Sequence, residues 1–281
     1  MRRLIVNADD FGLTSGINRA VTELHSARAL SSATLMATAE AAPFFQAVGE
    51  TRNQPSLGVG CHIVLVDGTP LLPPSQVPSL VDGAEFRPKL GAFVTDLLLG
   101  RIAEADIEAE AVAQIRKLQQ AGVPVTHLDT HKHTHTFPRV LLPLLRAAQQ
   151  CGVKAIRNPF EPDWALNATA NAGHVRKMQV RLLRSQSRAF AQQVNRAGLV
   201  TTDGAIGVLA TGTLDTQTVQ NLLAALPEGT WELVCHPGYN DADLKKQRTR
   251  LLESREVERT ALLETVPAAQ VELVHFGQLS P

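Results

Sequence analysis

The chain alternates short apolar runs with longer stretches of helical period, and this rhythm limits its fold more than any other feature. The short runs fall at residues 4–7, 33–36, 57–62, 125–129, 155–157, 205–208, 232–235 and 271–275. Each is bounded by polar or turn residues and has the length of a buried strand. Helical stretches are expected at 17–29, 107–121, 139–150, 214–225 and 242–263. In the second of these, Ile107, Ala111, Ile115 and Leu118 recur at the spacing of a buried helix face. Strands separated by helices predict a parallel sheet with helical crossovers. About eight such units in 281 residues favour a closed or nearly closed α/β barrel in one domain, 1–281. The runner-up is an open doubly wound sheet, weakened because no G-x-G-x-x-G loop follows the first strand.

Two regions interrupt the rhythm. Residues 67–90 hold Pro70, Pro73, Pro74, Pro78 and Pro88, a density that regular helices and central strands exclude, so a long irregular loop is expected there. Residues 163–203 carry Arg176, Lys177, Arg181, Arg184, Arg188 and Arg196 with no acid between Asp163 and Asp203, and read as a basic helical insertion. Over the whole chain 27 basic residues balance 27 acidic ones, so no global field recruits nucleic acid. Cys61, Cys151 and Cys235 are odd in number and lack C-x-x-C spacing, which argues against a disulfide framework or a cysteine zinc site. The apolar run at 4–6 is too short for a signal peptide, no stretch suits a membrane span, and a cytoplasmic location is expected.

Four polar constellations stand at the carboxyl ends of expected strands, where parallel barrels place their active sites. The first is Asn7-Ala8-Asp9-Asp10-Phe11-Gly12. Burying two carboxylates is costly unless they are paired or bind metal. Neighbours on a regular strand face opposite ways, so both serve one site only where the strand ends and Gly12 turns the chain. The plainer reading makes one of them the N-cap of the next helix. The second constellation runs from His127 through Asp129, His131 and His133 to His135. A continued strand would put all five on one face, too long a row for one ion. The third is Gly60-Cys61-His62 and the fourth is Cys235-His236-Pro237-Gly238-Tyr239. Cys61 and Cys235 precede the histidines and are expected to face the packing side.

A catalytic divalent site uses about three His/Asp ligands and leaves a position for water or substrate. One carboxylate of the pair, His62 and one histidine of the cluster satisfy that pattern. The other aspartate is then free as general base, and His236 can stabilise an oxyanion or protonate a departing amine.

Together the motifs resemble the YdjC-like carbohydrate deacetylases, the ChbG/HpnK family. The match comprises NADDFG at 7–12, G-x-H at 60–62, the run THLDTHKHTHTFP from Thr126 to Pro138, and HPGY at 236–239. The resemblance implies a distorted TIM-like (β/α) barrel and removal of an N-acetyl group from an N-acetylglucosamine-type sugar. It implies Asp10, His62 and His131 as ligands of one divalent ion, magnesium or zinc. It also implies Asp9 as base, His236 as the second catalytic residue, and Arg157 and Tyr239 as substrate contacts. Within the family the chain is similar to the hopanoid-associated HpnK branch, whose expected substrate is an acetylated glycolipid. The basic insertion then suits peripheral contact with an anionic membrane. A homodimer is a further expectation, since relatives often pair.

Chitooligosaccharide deacetylation is the close rival. A two-metal phosphoesterase or amidohydrolase would draw its second ion to His133 and His135. A glycosidase is disfavoured because adjacent carboxylates do not span the separation of at least about 5 Å that its mechanism needs. A silent metal- or sugar-binding module is the reading outside enzymology.

Overall fold

The computed structural model describes residues 1–169 and 173–280. Its strands are β1 (Arg2–Phe11), β2 (Ser32–Leu35), β3 (Gly58–Ile63), β4 (Val81–Asp82), β5 (Glu85–Phe86), β6 (Leu128–Thr130), β7 (Gly204–Ile206), β8 (Gly229–Cys235) and β9 (Glu272–Leu273). Between them lie α1 (Ser15–Ser26), α2 (Ala41–Asn53), α3 (Leu90–Leu98), α4 (Glu104–Gln120) and α5 (Pro138–Cys151). Later come α6 (Asp163–Ala168), α7 (His174–Arg184), α8 (Ser187–Arg196), α9 (Thr216–Ala225) and α10 (Glu253–Thr265).

Seven strands form one parallel sheet in the order β6-β3-β2-β1-β8-β7, with β9 added alongside β1. The sheet curls into a half-barrel. Strand alternation sorts its side chains. Leu4, Val6, Ala8, Val59, Cys61, Leu128, Leu233 and Cys235 join the large apolar core together with residues of the helices. The opposite phase makes a concave inner face. Its floor is a small apolar cluster of Ile5, Ala155, Val274 and Phe276. Above the floor the same phase turns polar, through Asn7 and Asp9 on β1, His62 on β3, Asp129 on β6 and Glu232 on β8, all buried.

Several expectations change in detail. The run at 155–157 makes only single parallel bridges, Leu128 to Ile156 and Ala155 to Val200. The run at 271–275 shortens to β9, and the helix expected at 242–263 begins only at Glu253, after a 3-10 turn at Leu244–Lys246. The proline-rich stretch holds the β4–β5 hairpin, whose Phe86 is buried with Val77 and Leu80. The basic segment is three helices, α6 to α8; residues 170–172 within it, and the side chain of Arg176, lie outside the described residues. The cap of α1 is Thr14, whose hydroxyl accepts from the Ile17 amide at 3.2 Å, so neither aspartate serves as that cap.

Candidate metal centre and active site

β1 does not end before the aspartates; it runs through them, and a bulge breaks its alternation. The β1–β2 register proceeds from Asn7–Ser32 to Ala8–Ala33 and then jumps to Phe11–Leu35. Asp10 sits at the jump with φ 63°, in the left-handed region that non-glycine residues rarely adopt. The extra residue lets Asp9 and Asp10 address one end of the sheet, which a regular strand forbids.

Asp10 Oδ1 lies 3.5 Å from His62 Nε2 and 3.5 Å from His131 Nδ1, and those two nitrogens are 3.4 Å apart. Ligands about 2.1 Å from a tetrahedral ion stand about 3.4 Å from one another. Asp10 Oδ1 is also buried without a hydrogen-bond partner among the described residues. An orphaned carboxylate oxygen facing two imidazole nitrogens fits a divalent cation.

Two of the three donors are braced from behind. Arg255, buried on α10, donates through Nη2 to Asp10 Oδ2 at 2.5 Å. Burial would push the Asp10 carboxyl up, but Arg255 and then His131 hold it well below the usual range. His62 Nδ1 lies 2.8 Å from Asp129 Oδ1, the carboxylate-to-histidine arrangement that orients ligating imidazoles. Burial would lower the His62 pKa, yet Asp129, then Asp9 and Asp10, raise it to about 9. A second carboxylate–histidine grouping, Asp9, His62 and Asp129, shares His62 with the first. Its lone pairs are already engaged, so it makes the poorer metal site.

Asp9 is held by Arg157, which donates from Nη1 at 2.9 Å and Nη2 at 2.6 Å. Arg157 also meets Asp129 at 2.6 Å and Glu232 at 2.7 Å. At 0% exposure it braces carboxylates beneath the site and offers no surface to a substrate, unlike the contact expected of it. Burial would raise Asp9, but Arg157, His62 and His236 keep it ionised, far below the ordinary carboxylate value. Its Oδ1 accepts from Arg157 Nη2 at 2.6 Å and Asn7 Nδ2 at 3.0 Å, while the Thr34 hydroxyl donates to Asp129 Oδ2 at 3.0 Å. Asp9 Oδ2 keeps room on the side where His236 Nε2 stands 3.7 Å away. The His236 backbone N–H donates to Glu258 at 2.5 Å, and its Nδ1 is 3.9 Å from the same carboxylate.

The remaining expected residues are dispersed. Tyr239 donates its hydroxyl to Glu23 at 2.8 Å, with its ring between Arg19 and Arg259. The histidine row bends, because β6 stops at Thr130 and Lys132 and His133 adopt φ 58° and 51°. His127 drops to the floor, stacked on Phe276 at 3.9 Å, and a Cβ on Gly60 would strike its ring at 2.5 Å. That contact accounts for the glycine of the G-x-H motif. His135 Nδ1 pairs with the Thr130 hydroxyl at 2.6 Å. Cys61 and Cys235 are buried and unpaired on the packing side, as expected.

Sequence reasoning missed Arg255 and Glu258, although both carry a signal. They fall in phase with the buried Ala261, Leu262 and Thr265 of α10, where a charge must have a buried partner. The glycine of HPGY makes room for one of them, since a Cβ on Gly238 would lie 3.0 Å from Arg255 Cδ.

Residues 3–272 match the family described as YdjC-like protein. The chain belongs to the YdjC-like family. A relative named carbohydrate deacetylase, from Thermoanaerobacter pseudethanolicus, is 29% identical over 264 residues, 94% of this chain and 92% of that protein. Another of the same name, from Brevibacillus brevis, is 41% identical over 158 residues, but the match spans 56% of this chain and only 60% of that protein. A solved structure from Enterococcus faecalis V583, assigned by name only to cellobiose-phosphate cleavage, aligns over 100% of this chain and 99% of its own with TM-score 0.74. At 23% identity that likeness speaks for the fold alone.

Proposed function

We propose that this YdjC-like chain is a metal-dependent carbohydrate N-deacetylase that hydrolyses the acetamide of an N-acetylglucosamine-type sugar to acetate and a free amine. The observation that carries the reading is the orphaned Asp10 Oδ1 beside His62 Nε2 and His131 Nδ1, with an ionised carboxylate, Asp9, next in the chain. The relatives named carbohydrate deacetylase supply the substrate class. Single bridges beyond β6 lead through Ile156 and Ala155 to Val200, just before β7, and support a distorted TIM-like barrel.

Asp10, His62 and His131 would hold one ion, which supplies Lewis acidity to the acetyl carbonyl and to the attacking water. Asp9 Oδ2 takes the proton from that water as its oxygen adds to the carbonyl carbon. Arg157 fixes the orientation of Asp9 and keeps it ionised, so the carboxylate hands the proton on rather than retaining it. His236, 3.7 Å away, delivers a proton to the sugar nitrogen as the C–N bond breaks, and the amine leaves. Arg157 thus acts by positioning.

A lipid-linked acetylated sugar, as in the hopanoid branch, is supported by α7, which exposes Met178 at 68% and Leu182 at 74% beside Lys177 and Arg181. No helix among the described residues is long and apolar enough to cross a membrane. The test is acetate release by zinc-loaded protein from N-acetylglucosaminyl lipid and from N,N′-diacetylchitobiose in parallel. Release from the lipid alone supports the hopanoid branch, and release from the soluble sugar alone replaces it with chitooligosaccharide deacetylation. No release from either, with metal bound, removes the deacetylase reading.

A further inference from the structure

Of the three donors, His131 is the odd one. Asp10 is braced by Arg255 and His62 by Asp129, whereas no side chain outside the donor triangle hydrogen-bonds the His131 ring among the described residues. His131 is also the most exposed donor, its side chain 23% accessible. Whatever aims it must act through its backbone.

That backbone is strained. Lys132 and His133 follow in consecutive left-handed conformations, a geometry that persists only where surrounding contacts enforce it. Within the turn, Thr136 Oγ1 donates to the His133 carbonyl at 2.7 Å and the His135 amide to Thr130 Oγ1 at 3.1 Å, and one further contact reaches across the site face. Lys132 Nζ donates to Asp67 Oδ2 at 2.9 Å, and Asp67 is itself left-handed at φ 63°. Asp67 belongs to the loop leaving β3, the strand of His62, and this loop is a firm anchor. Gln114 on α4 exchanges two hydrogen bonds with the Val64 backbone, at 2.9 and 2.8 Å. Buried Glu110 accepts from the Leu71 and Leu72 amides at 2.8 and 3.1 Å. The Asp67 amide donates to the Arg87 carbonyl at 3.0 Å.

We propose that the Lys132–Asp67 ion pair is the positioning device for His131, locking the left-handed turn that points Nδ1 at Asp10 and His62. The pair ties the loop after β6 to the loop after β3, so the two metal-bearing strand ends are held in mutual register. It stands in for the outer partner that His131 lacks. The inference rests on the metal centre proposed above.

Zinc affinity of the metal-stripped protein, measured by competition with a chromogenic chelator, tests it without reference to turnover. Lys132→Met and Asp67→Asn are expected to weaken zinc binding about tenfold, the effect typical of an outer-shell partner. Lys132→Arg, which keeps the charge, is expected to restore affinity to within about twofold of the parent. The Tm of the metal-free variants should stay near the parent's, because a partly exposed ion pair contributes little to folding. Parent-like zinc affinity in Lys132→Met overturns the positioning role. So does failure of Lys132→Arg to restore it, or a fall in metal-free Tm that tracks the affinity. A parent protein that binds no zinc overturns the metal centre itself, and the proposal with it.

Discussion

Arg157 and its carboxylates lie just behind the triangle of Asp10, His62 and His131, at the same end of the same sheet, yet the two regions meet their charge in opposite ways. Behind the site, a permanent cation with no solvent access engages Asp9, Asp129 and Glu232. One cation against three carboxylates leaves an excess of negative charge. Burial, with the Asp9 and Asp129 charges, outweighs Arg157 and raises Glu232 to about 7, so it holds a proton in mildly acidic solution. At the triangle no Lys or Arg among the described residues faces Asp10 Oδ1; Arg255 takes only its other oxygen. The first region draws its cation from the chain itself, and the second is the candidate site for a cation from outside. Ionised groups clustered at one strand end therefore need not share one role, and their hydrogen-bond accounts tell them apart.

Stability measurements can break or sharpen this contrast. Removing the fixed cation with Arg157→Met leaves buried carboxylates uncompensated and is expected to cost about 3–5 kcal/mol, read as a large fall in Tm or loss of folded protein. Unchanged Tm would mean that the cluster is not charge-balanced by Arg157. The next largest effect concerns Glu232. Its folded-state pKa of about 7 lies above the ordinary 4.5, so its stabilising share is full below pH 4.5 and is lost as pH rises through 7. Glu232→Gln cannot ionise. Its stability relative to the parent should improve between pH 4.5 and 8 by up to about 3 kcal/mol, at about 1.4 kcal/mol per pKa unit. A pH-independent gap in denaturation midpoints would show that Glu232 is not held protonated. The smallest stability effect belongs to the triangle: His131→Ala should cost the metal-free fold less than about 1 kcal/mol, while equilibrium dialysis shows zinc binding lost. Zinc retained by that variant would remove His131 from the donor set.

Much of this was legible in the sequence, for definite reasons. The strand–helix rhythm gives the parallel sheet, because apolar period and turn residues are local properties. The four motifs lie at strand ends because a parallel sheet gathers its carboxyl ends on one side. Three things were not legible. The bulge at Asp10 depends on register with β2, a pairing set by chain far away in sequence. The bend after β6, which separates His131 from His133 and His135, depends on two left-handed residues that are neither glycine nor asparagine. Arg157 reads as a rim residue from its place at the end of a short run, and only the inward phase of 155–157 reveals its carboxylate partners. Glu232 could have been noticed as a lone acid in an apolar strand, and Arg255 as a charge in the buried phase of its helix.

The most direct test of the account separates Asp9 from Asp10, neighbours assigned to different regions and different work. Asp9→Asn and the parent would be loaded with zinc, their metal content measured, and acetate release followed on the proposed N-acetylglucosaminyl substrate. The account predicts parent-like zinc content with release slowed by about 10²–10⁴-fold, the range for loss of a general base. Release at the parent's rate, or loss of zinc along with activity, would contradict the division of labour between the two carboxylates.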